Sequence, residues 1–317
     1  MVEVAIEVPE LLPVLTLGLV SDLHWESEQD FELEASGVDV LIAAGDLLNG
    51  NEPETAIARL SKAAGKTPVL YVPGNHEFFG HTIESGLERL RQAAKNTKVR
   101  ILYRQSVTIG GVEFLGATLW SGFELFGPTQ RARCEKAAQE QLYDFKRILG
   151  TSRKPITPAQ VRAEHLKDVE WLGKHLKKNT RPPTVVISHF APSALSLKKG
   201  KGSDPLSAYF ANANDALVVQ ANAWVHGHVH QSRHYRLAQA AENHGVVLSN
   251  PRGFIWNQQL SELVPEVQAI VRQNYPQVGD DDWLAVPENT EFSNPLRFTF
   301  DPNTGAIEVL PETGHPA

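Results

Sequence analysis

Five short stretches of this chain carry side chains suited to metal chemistry: Asp22-Leu23-His24, Gly45-Asp46, Gly74-Asn75-His76-Glu77, Ser188-His189 and Gly227-His228-Val229-His230. Together they offer Asp22, His24, Asp46, Asn75, His189, His228 and His230, a set of imidazole, carboxylate and amide donors. Cys134 is the only cysteine, which excludes both a thiolate cage and an intrachain disulfide. Seven donors exceed the three or four that one tetrahedral site takes. They suit two cations if one carboxylate bridges, as in two-metal hydrolases, whose paired ions sit about 3.5–4 Å apart. Asp46 is the candidate bridge, because it follows a glycine that leaves room for close approach. Two divalent cations, set against Asp22, Asp46 and one bridging hydroxide, leave about one net positive charge, which suits a phosphoester anion.

The elements that must carry these residues are readable in outline. Val14 to Val20, Val38 to Ala44, Pro68 to Val72, Thr184 to Ser188 and Ala223 to Val225 are apolar runs of strand length, each ending at or just before one of the five stretches. Such runs, bounded by turn residues, predict strands buried on both faces with helices outside. In α/β folds ligands collect at the carboxyl ends of strands, so the five loops are expected to converge. Asp22 and His24 stand two apart, as do His228 and His230, and on extended backbone each pair would point one way. Ala56, Ile57 and Leu60 predict a helix between Asn51 and Lys62. Ser106–Ile109 and Val112–Leu115 around Gly110-Gly111 predict a hairpin, hence a mixed sheet. Ser121 to Arg181 reads as a helical insertion. Thr157-Pro158-Ala159-Gln160 starts one of its helices with a capping box, and Val161, Leu166, Val169, Leu172 and Leu176 form the expected apolar stripe. Leu296–Phe300 and Ala306–Leu310 predict a hairpin in the tail. The chain reads as a single domain, 1–317, with the insertion at about 121–181 and a C-terminal extension at about 255–317.

The ordered blocks D-x-H, GD, GNHE, H and GHxH, spanning residues 22 to 230, resemble the calcineurin-like metallophosphoesterases. That resemblance implies a four-layer α/β/β/α sandwich of two mixed sheets flanked by helices. It implies that Asp22, His24 and His230 hold one metal, that Asn75, His189 and His228 hold the other, and that Asp46 is shared. It implies manganese, iron or zinc, in-line attack on phosphorus by a metal-bridging hydroxide, and His76 as the general acid rather than a ligand. Asn75 is also a candidate substrate contact. Leu47-Leu48-Asn49 stands where Ser/Thr protein phosphatases carry Asp-Arg-Gly, which disfavours protein substrates. The expected activity is a metal-dependent phosphoric ester hydrolase, a phosphatase or phosphodiesterase acting on a small-molecule or nucleotide-type monoester or diester. The alternatives are a metal-dependent hydrolase of a non-phosphate ester and a non-catalytic scaffold of the same fold.

Other residues carry weaker signals. Arg252 is a candidate phosphate contact, since a guanidinium fork fits phosphate oxygens, with a structural ion pair as the competing reading. Lys198-Lys199-Gly200-Lys201-Gly202 is either a basic lid or a solvated loop. Trp120, Phe123 and Phe126 either roof the site or pack. His226 is expected to be a core histidine. His81, His165, His175, His234, His244 and His315 are expected at the surface. Glu77 is either a hydrogen-bond partner of a ligand histidine or a helix N-terminal carboxylate. With 317 residues and 42% hydrophobic content the chain has enough material for a large core, and its net charge of −7 gives no dedicated nucleic-acid surface. The acidic N-terminus, Met-Val-Glu-Val, lacks a signal-peptide pattern, and no apolar run is long enough for a membrane span. The expectation is a soluble cytoplasmic protein needing no protein partner.

Overall fold

The computed structural model describes residues 11–177, 182–198, 203–259, 261, 268, 272, 279 and 283–311. In chain order its strands begin with β1 (Leu15–Val20), β2 (Val40–Ala43), β3 (Val69–Tyr71), β4 (Val99–Ile101), β5 (Gln105–Ile109), β6 (Val112–Gly116) and β7 (Thr184–Ile187). They continue with β8 (Ala223–His226), β9 (Arg233–Arg236), β10 (Val246–Ser249), β11 (Ile255–Gln259), β12 (Trp283–Pro287), β13 (Leu296–Phe300) and β14 (Ile307–Val309). The described helices are α1 (Pro53–Ala64), α2 (Ile83–Ala94), α3 (Arg131–Gln141), α4 (Asp144–Arg147), α5 (Pro158–Leu176), α6 (Ser207–Phe210) and α7 (Asp215–Val218).

Two six-stranded sheets stack face to face, in the orders β14-β13-β1-β2-β3-β4 and β5-β6-β7-β8-β10-β9. Both are mixed. β1 to β4 run parallel, and β13 and β14 join antiparallel at the β1 edge. In the second sheet β6, β7, β8 and β10 run parallel between antiparallel β5 and β9. Alternation along the strands explains the layering. Leu17, Leu19, Ile42, Leu70 and Val72 meet Phe114, Val185, Ile187, Val225 and Leu248 between the sheets. Val20, Leu41, Ala43 and Tyr71 turn the other way and cluster with Ile57 and Leu60 of α1 and Leu87 and Leu90 of α2. Leu115, Val186 and Trp224 belong to the same outer cluster as Val161 and Leu172 of α5. This is the expected α/β/β/α sandwich. Part of the C-terminal extension is integral to it, since β13 supplies the strand beside β1.

The Gly110-Gly111 hairpin and the tail hairpin form as predicted. So does the capping box of α5, in which Thr157 and Gln160 satisfy each other's backbone with Pro158 in the first turn. The stripe on α5 is shifted, however. Leu166 is 46% exposed, and the buried face runs through Val161, His165, Asp168, Leu172 and Leu176. Two polar residues take inward positions because partners await them. Asp168 accepts from Arg104 Nη1 at 2.6 Å and from the Leu119 amide at 2.9 Å, while His165 Nδ1 donates to the Leu119 carbonyl at 2.7 Å. His165 is therefore a core residue, not a surface one, and α5 is tied to the turn after β6. Among the described residues no helix is long and apolar enough to cross a membrane.

Candidate metal centre

The motif loops leave the strands by an abrupt change of backbone. Asp22, His24, Asp46, His228 and His230 all have positive φ, between 42° and 69°. The pairs Asp22/His24 and His228/His230 are thus not on extended chain as the spacing suggested. Left-handed turns past the strand ends, which Asp and His tolerate better than most residues, aim them instead. Backbone bonds then zip the loops together: Asp22 N donates to Gly45 O at 2.8 Å and His24 N to Asp46 O at 3.2 Å. The His228 amide donates to both oxygens of Asp22 at 3.0 Å, linking residues 206 apart in sequence. Glu77, buried, accepts from the amides of Asp46 (3.0 Å), Leu47 (2.8 Å) and Gly74 (2.6 Å). It stands in the first turn of the short 3-10 helix His76–Phe78, as one of the two sequence readings has it, and it also clamps the second and third motif loops together. Glycine is required at two places. A Cβ on Gly45, at φ +89°, would strike the His189 ring, and one on Gly74 would overlap the Asp46 carboxylate and lie 2.7 Å from His189 Nε2.

The donors converge. Asp22, His24 and His230 form one group whose ligand atoms lie within 4.8 Å of one another, and Asp46, His189 and His228 form a second. His230 Nε2 is 3.3 Å from Asp22 Oδ1, and His189 Nε2 is 3.2 Å from Asp46 Oδ2 and 3.0 Å from Asn75 Oδ1. The set fits cations on three observations. His24 Nε2 and His230 Nε2 face each other at 3.2 Å, an approach that suits a shared positive charge. His228 Nε2 is buried without a hydrogen-bond partner. The far nitrogens of three imidazoles are anchored: His24 Nδ1 on Glu26 at 3.1 Å, His230 Nδ1 on Glu288 at 2.6 Å and His189 Nδ1 on the Ala44 carbonyl at 2.7 Å. Such anchors fix the tautomer and turn Nε2 toward a metal.

The electrostatics follow from burial against charge. Burial works to raise the Asp22 carboxyl, but the hydrogen bond and charge of His230, with His189, bring it to about 2. Burial lowers His228 well below its ordinary value. Burial also opposes protonation of His189, yet the Asp46 carboxylate raises it to about 9. For His76 the same contest between burial and Asp46, helped by Glu26, ends at about 9.

His76 lies at the lip of the cluster, with Nε2 3.8 Å from Asp46 Oδ2, and its nitrogen also approaches His24 and Asp46 closely enough to form a third ligand-like group. A cleft of 470 Å³ opens above it. Its wall includes Asp46, Asn75, His76, His228 and His230, faced by Phe79, Leu142, Tyr143, Phe210 and Phe254. A larger cleft of 630 Å³ between α2 and α5 contains none of the motif residues, so chemistry rather than size locates the site.

Arg252 does not line the cleft. It is buried against Glu28, donates to the Leu23 carbonyl at 3.2 Å and lies 3.9 Å over the Phe31 ring, so its guanidinium braces the first motif loop. His226 is a core residue held by Ser196 and the Gly227 carbonyl. Trp120 and Phe123 are fully buried packing residues. Lys199 to Gly202, Arg181 and His315 lie outside the described residues. Sequence reasoning missed Glu26, Glu288, Asp144 and Tyr209. Glu26, two residues beyond His24, is the one with a local signal; the others come from the insertion, the tail and α6.

Residues 15–232 match the model of the family described as calcineurin-like phosphoesterase. The chain belongs to that family. As a calcineurin-like phosphoesterase it is a metal-dependent hydrolase of the phosphoester type. Its fold is similar to the crystal structure of phosphopantetheinyl hydrolase from Mycobacterium tuberculosis, at 17% identity and a TM-score of 0.57, over 88% of this chain and 98% of that one. A dimetal phosphatase from Danio rerio aligns at 16% identity and a TM-score of 0.44, over 75% of this phosphoesterase and 87% of that chain. No curated protein matches the chain.

Proposed function

We propose that this phosphoesterase hydrolyses a phosphomonoester or phosphodiester of small-molecule or nucleotide type at a binuclear metal centre. The carrying observation is the convergence of donors from five strand-end loops, three of which line one cleft, with the far ring nitrogens of three histidines anchored. Asp22, His24 and His230 would hold one cation, Asn75, His189 and His228 the other, with Asp46 between them; manganese, iron and zinc all suit this nitrogen and oxygen set. Cations bound there supply positive charge to the phosphoryl group and bring water's pKa toward about 7.

The chain's own residues do the rest. His76, raised toward the protonated form by Asp46 and Glu26, would give its proton to the leaving oxygen. One N–H of Asn75 is engaged by Asp144, which leaves the other to meet a phosphoryl oxygen. Phe79, Phe210 and Phe254 give the cleft an apolar flank suited to the organic part of the ester. The domain reading, one unit with its insertion and extension, accords with Leu142 to Asp144 and Glu288 all lining this cleft.

The test is a leaving-group comparison on metal-loaded protein. His76→Ala should keep both metals and lose about 10²–10⁴ in rate on an alkyl phosphate, but far less on nitrophenyl phosphate. Equal losses on the two esters would remove the acid role. The panel should contain monoesters, diesters and, because one structural relative is named a phosphopantetheinyl hydrolase, a phosphopantetheinyl ester.

A further inference from the structure

Asp144 stands at the start of α4, inside the helical insertion and far from every motif block, yet it is buried at the wall of the cleft. Its Oδ1 accepts from Asn75 Nδ2 at 2.6 Å. At the other end of the same amide, Asn75 Oδ1 lies 3.0 Å from His189 Nε2. An amide presents oxygen on one side and nitrogen on the other, and only the oxygen can ligate a cation. Reversing Asn75 would set its oxygen against the Asp144 carboxylate and its N–H groups against the donors around Asp46. Both contacts would be repulsive or unpaired, and Asn75 and Asp144 are both buried, so water compensates little.

We propose that Asp144 is a positioning residue: it fixes the Asn75 amide so that its oxygen faces the Asn75/His189/His228 cation position. The helical insertion thereby completes the metal centre as well as walling the cleft. Tyr209 packs beside it in the cleft wall: it is fully buried, and burial together with the Asp144 carboxylate pushes its hydroxyl well above its usual range. Asp144 is thus enclosed by protein rather than free to swing away. The inference rests on the two-metal reading above and adds to it a residue that touches no metal.

The test is a calorimetric titration of chelator-treated full-length protein with Mn²⁺, read as two binding steps. Asp144→Leu keeps the branched side-chain shape, with larger methyl groups in place of the oxygens, and removes the acceptor. It should weaken one step about 10–100-fold, the usual consequence of losing an outer partner of a ligand. The other step should stay within a factor of two. Asp144→Asn retains a carbonyl acceptor and should recover most of the loss. Asn75→Leu should weaken the same step, and combining it with Asp144→Leu should add little further. Circular dichroism of the metal-free variants separates folding failure: if Asp144→Leu unfolds, Asp144→Ser, too short to reach the amide, takes its place in the same titration. Wild-type affinity in both steps, or equal weakening of both, would overturn the positioning role. A wild-type protein that takes up only one equivalent would instead overturn the two-metal reading, and is seen before any variant is made.

Discussion

Gly74→Ala tests the packing of the centre without replacing a ligand. Gly74 has no positive φ to forbid alanine, so the whole effect must come from the added methyl. That methyl would overlap Asp46 Oδ1 and stand 2.7 Å from His189 Nε2 and 2.8 Å from its Cδ2. Carbon atoms and such neighbours prefer about 3.5–4.0 Å, so Asp46 and His189 must retreat by roughly 1 Å. Asp46 is held by the His76 amide at 2.9 Å and His189 by the Ala44 carbonyl at 2.7 Å, so the retreat strains or breaks both bonds. Overpacking of this kind costs about 1–3 kcal/mol in the metal-free fold. The metal-loaded enzyme should suffer more. A displacement of about 1 Å at a reacting centre commonly costs about 10²-fold in rate, close to 2.7 kcal/mol of barrier. Elemental analysis of purified Gly74→Ala, urea unfolding after chelation and kcat/KM on nitrophenyl phosphate make the assay. Wild-type metal content together with wild-type kcat/KM would show that Asp46 and His189 are not held where the geometry puts them.

Three further outcomes follow from the same contacts. Asp46→Ala should lose metal from both positions, since Asp46 lies between the two donor groups; full occupancy of both would remove its bridging role. Arg104→Met should destabilise the fold by about 3 kcal/mol in urea unfolding, because it strands the buried Asp168 carboxylate without its partner at 2.6 Å. A change below about 0.5 kcal/mol would show the pair to be dispensable. Burial lowers His226 from 6.5 to about 4, so the folded state favours its neutral form. Its contribution is present above pH 6.5 and is lost as pH falls through 4, about 3 kcal/mol in all. Chelated His226→Gln should show a flatter loss of stability between pH 7 and 4 than wild type, and an unchanged slope would refute the assignment.

The strand ends and the donors on them were legible in the sequence because each lies in one continuous stretch, apolar run then polar residue. Distance along the chain hid the rest. Glu288 reaches His230 from 58 residues away and Asp144 reaches Asn75 from 69, and no local pattern links them. Arg252 illustrates the converse error: its type suited phosphate, but Glu28 and Phe31, invisible as partners in one dimension, had already claimed it. On α5, counting apolar residues favoured Leu166 over His165 and Asp168, because a buried polar residue is recognisable only once its partner's position is known. The extended-pair argument for Asp22 and His24 reached convergence by the wrong backbone, since the left-handed turns are imposed by neighbouring loops rather than by the two residues themselves.

Those left-handed turns bear on how such a protein can change over generations. Each non-glycine residue held there costs the fold on the order of 1–3 kcal/mol, at the lower end for Asp and His. Five donors share that cost; at Asp22 and Asp46 the backbone amides their carboxylates accept offset it, so folding alone favours glycine most at His24, His228 and His230. A lineage released from catalysis should therefore drift toward glycine at these positions first. It would leave a hardier, inert descendant whose ancestry is still written in the placement of its turns.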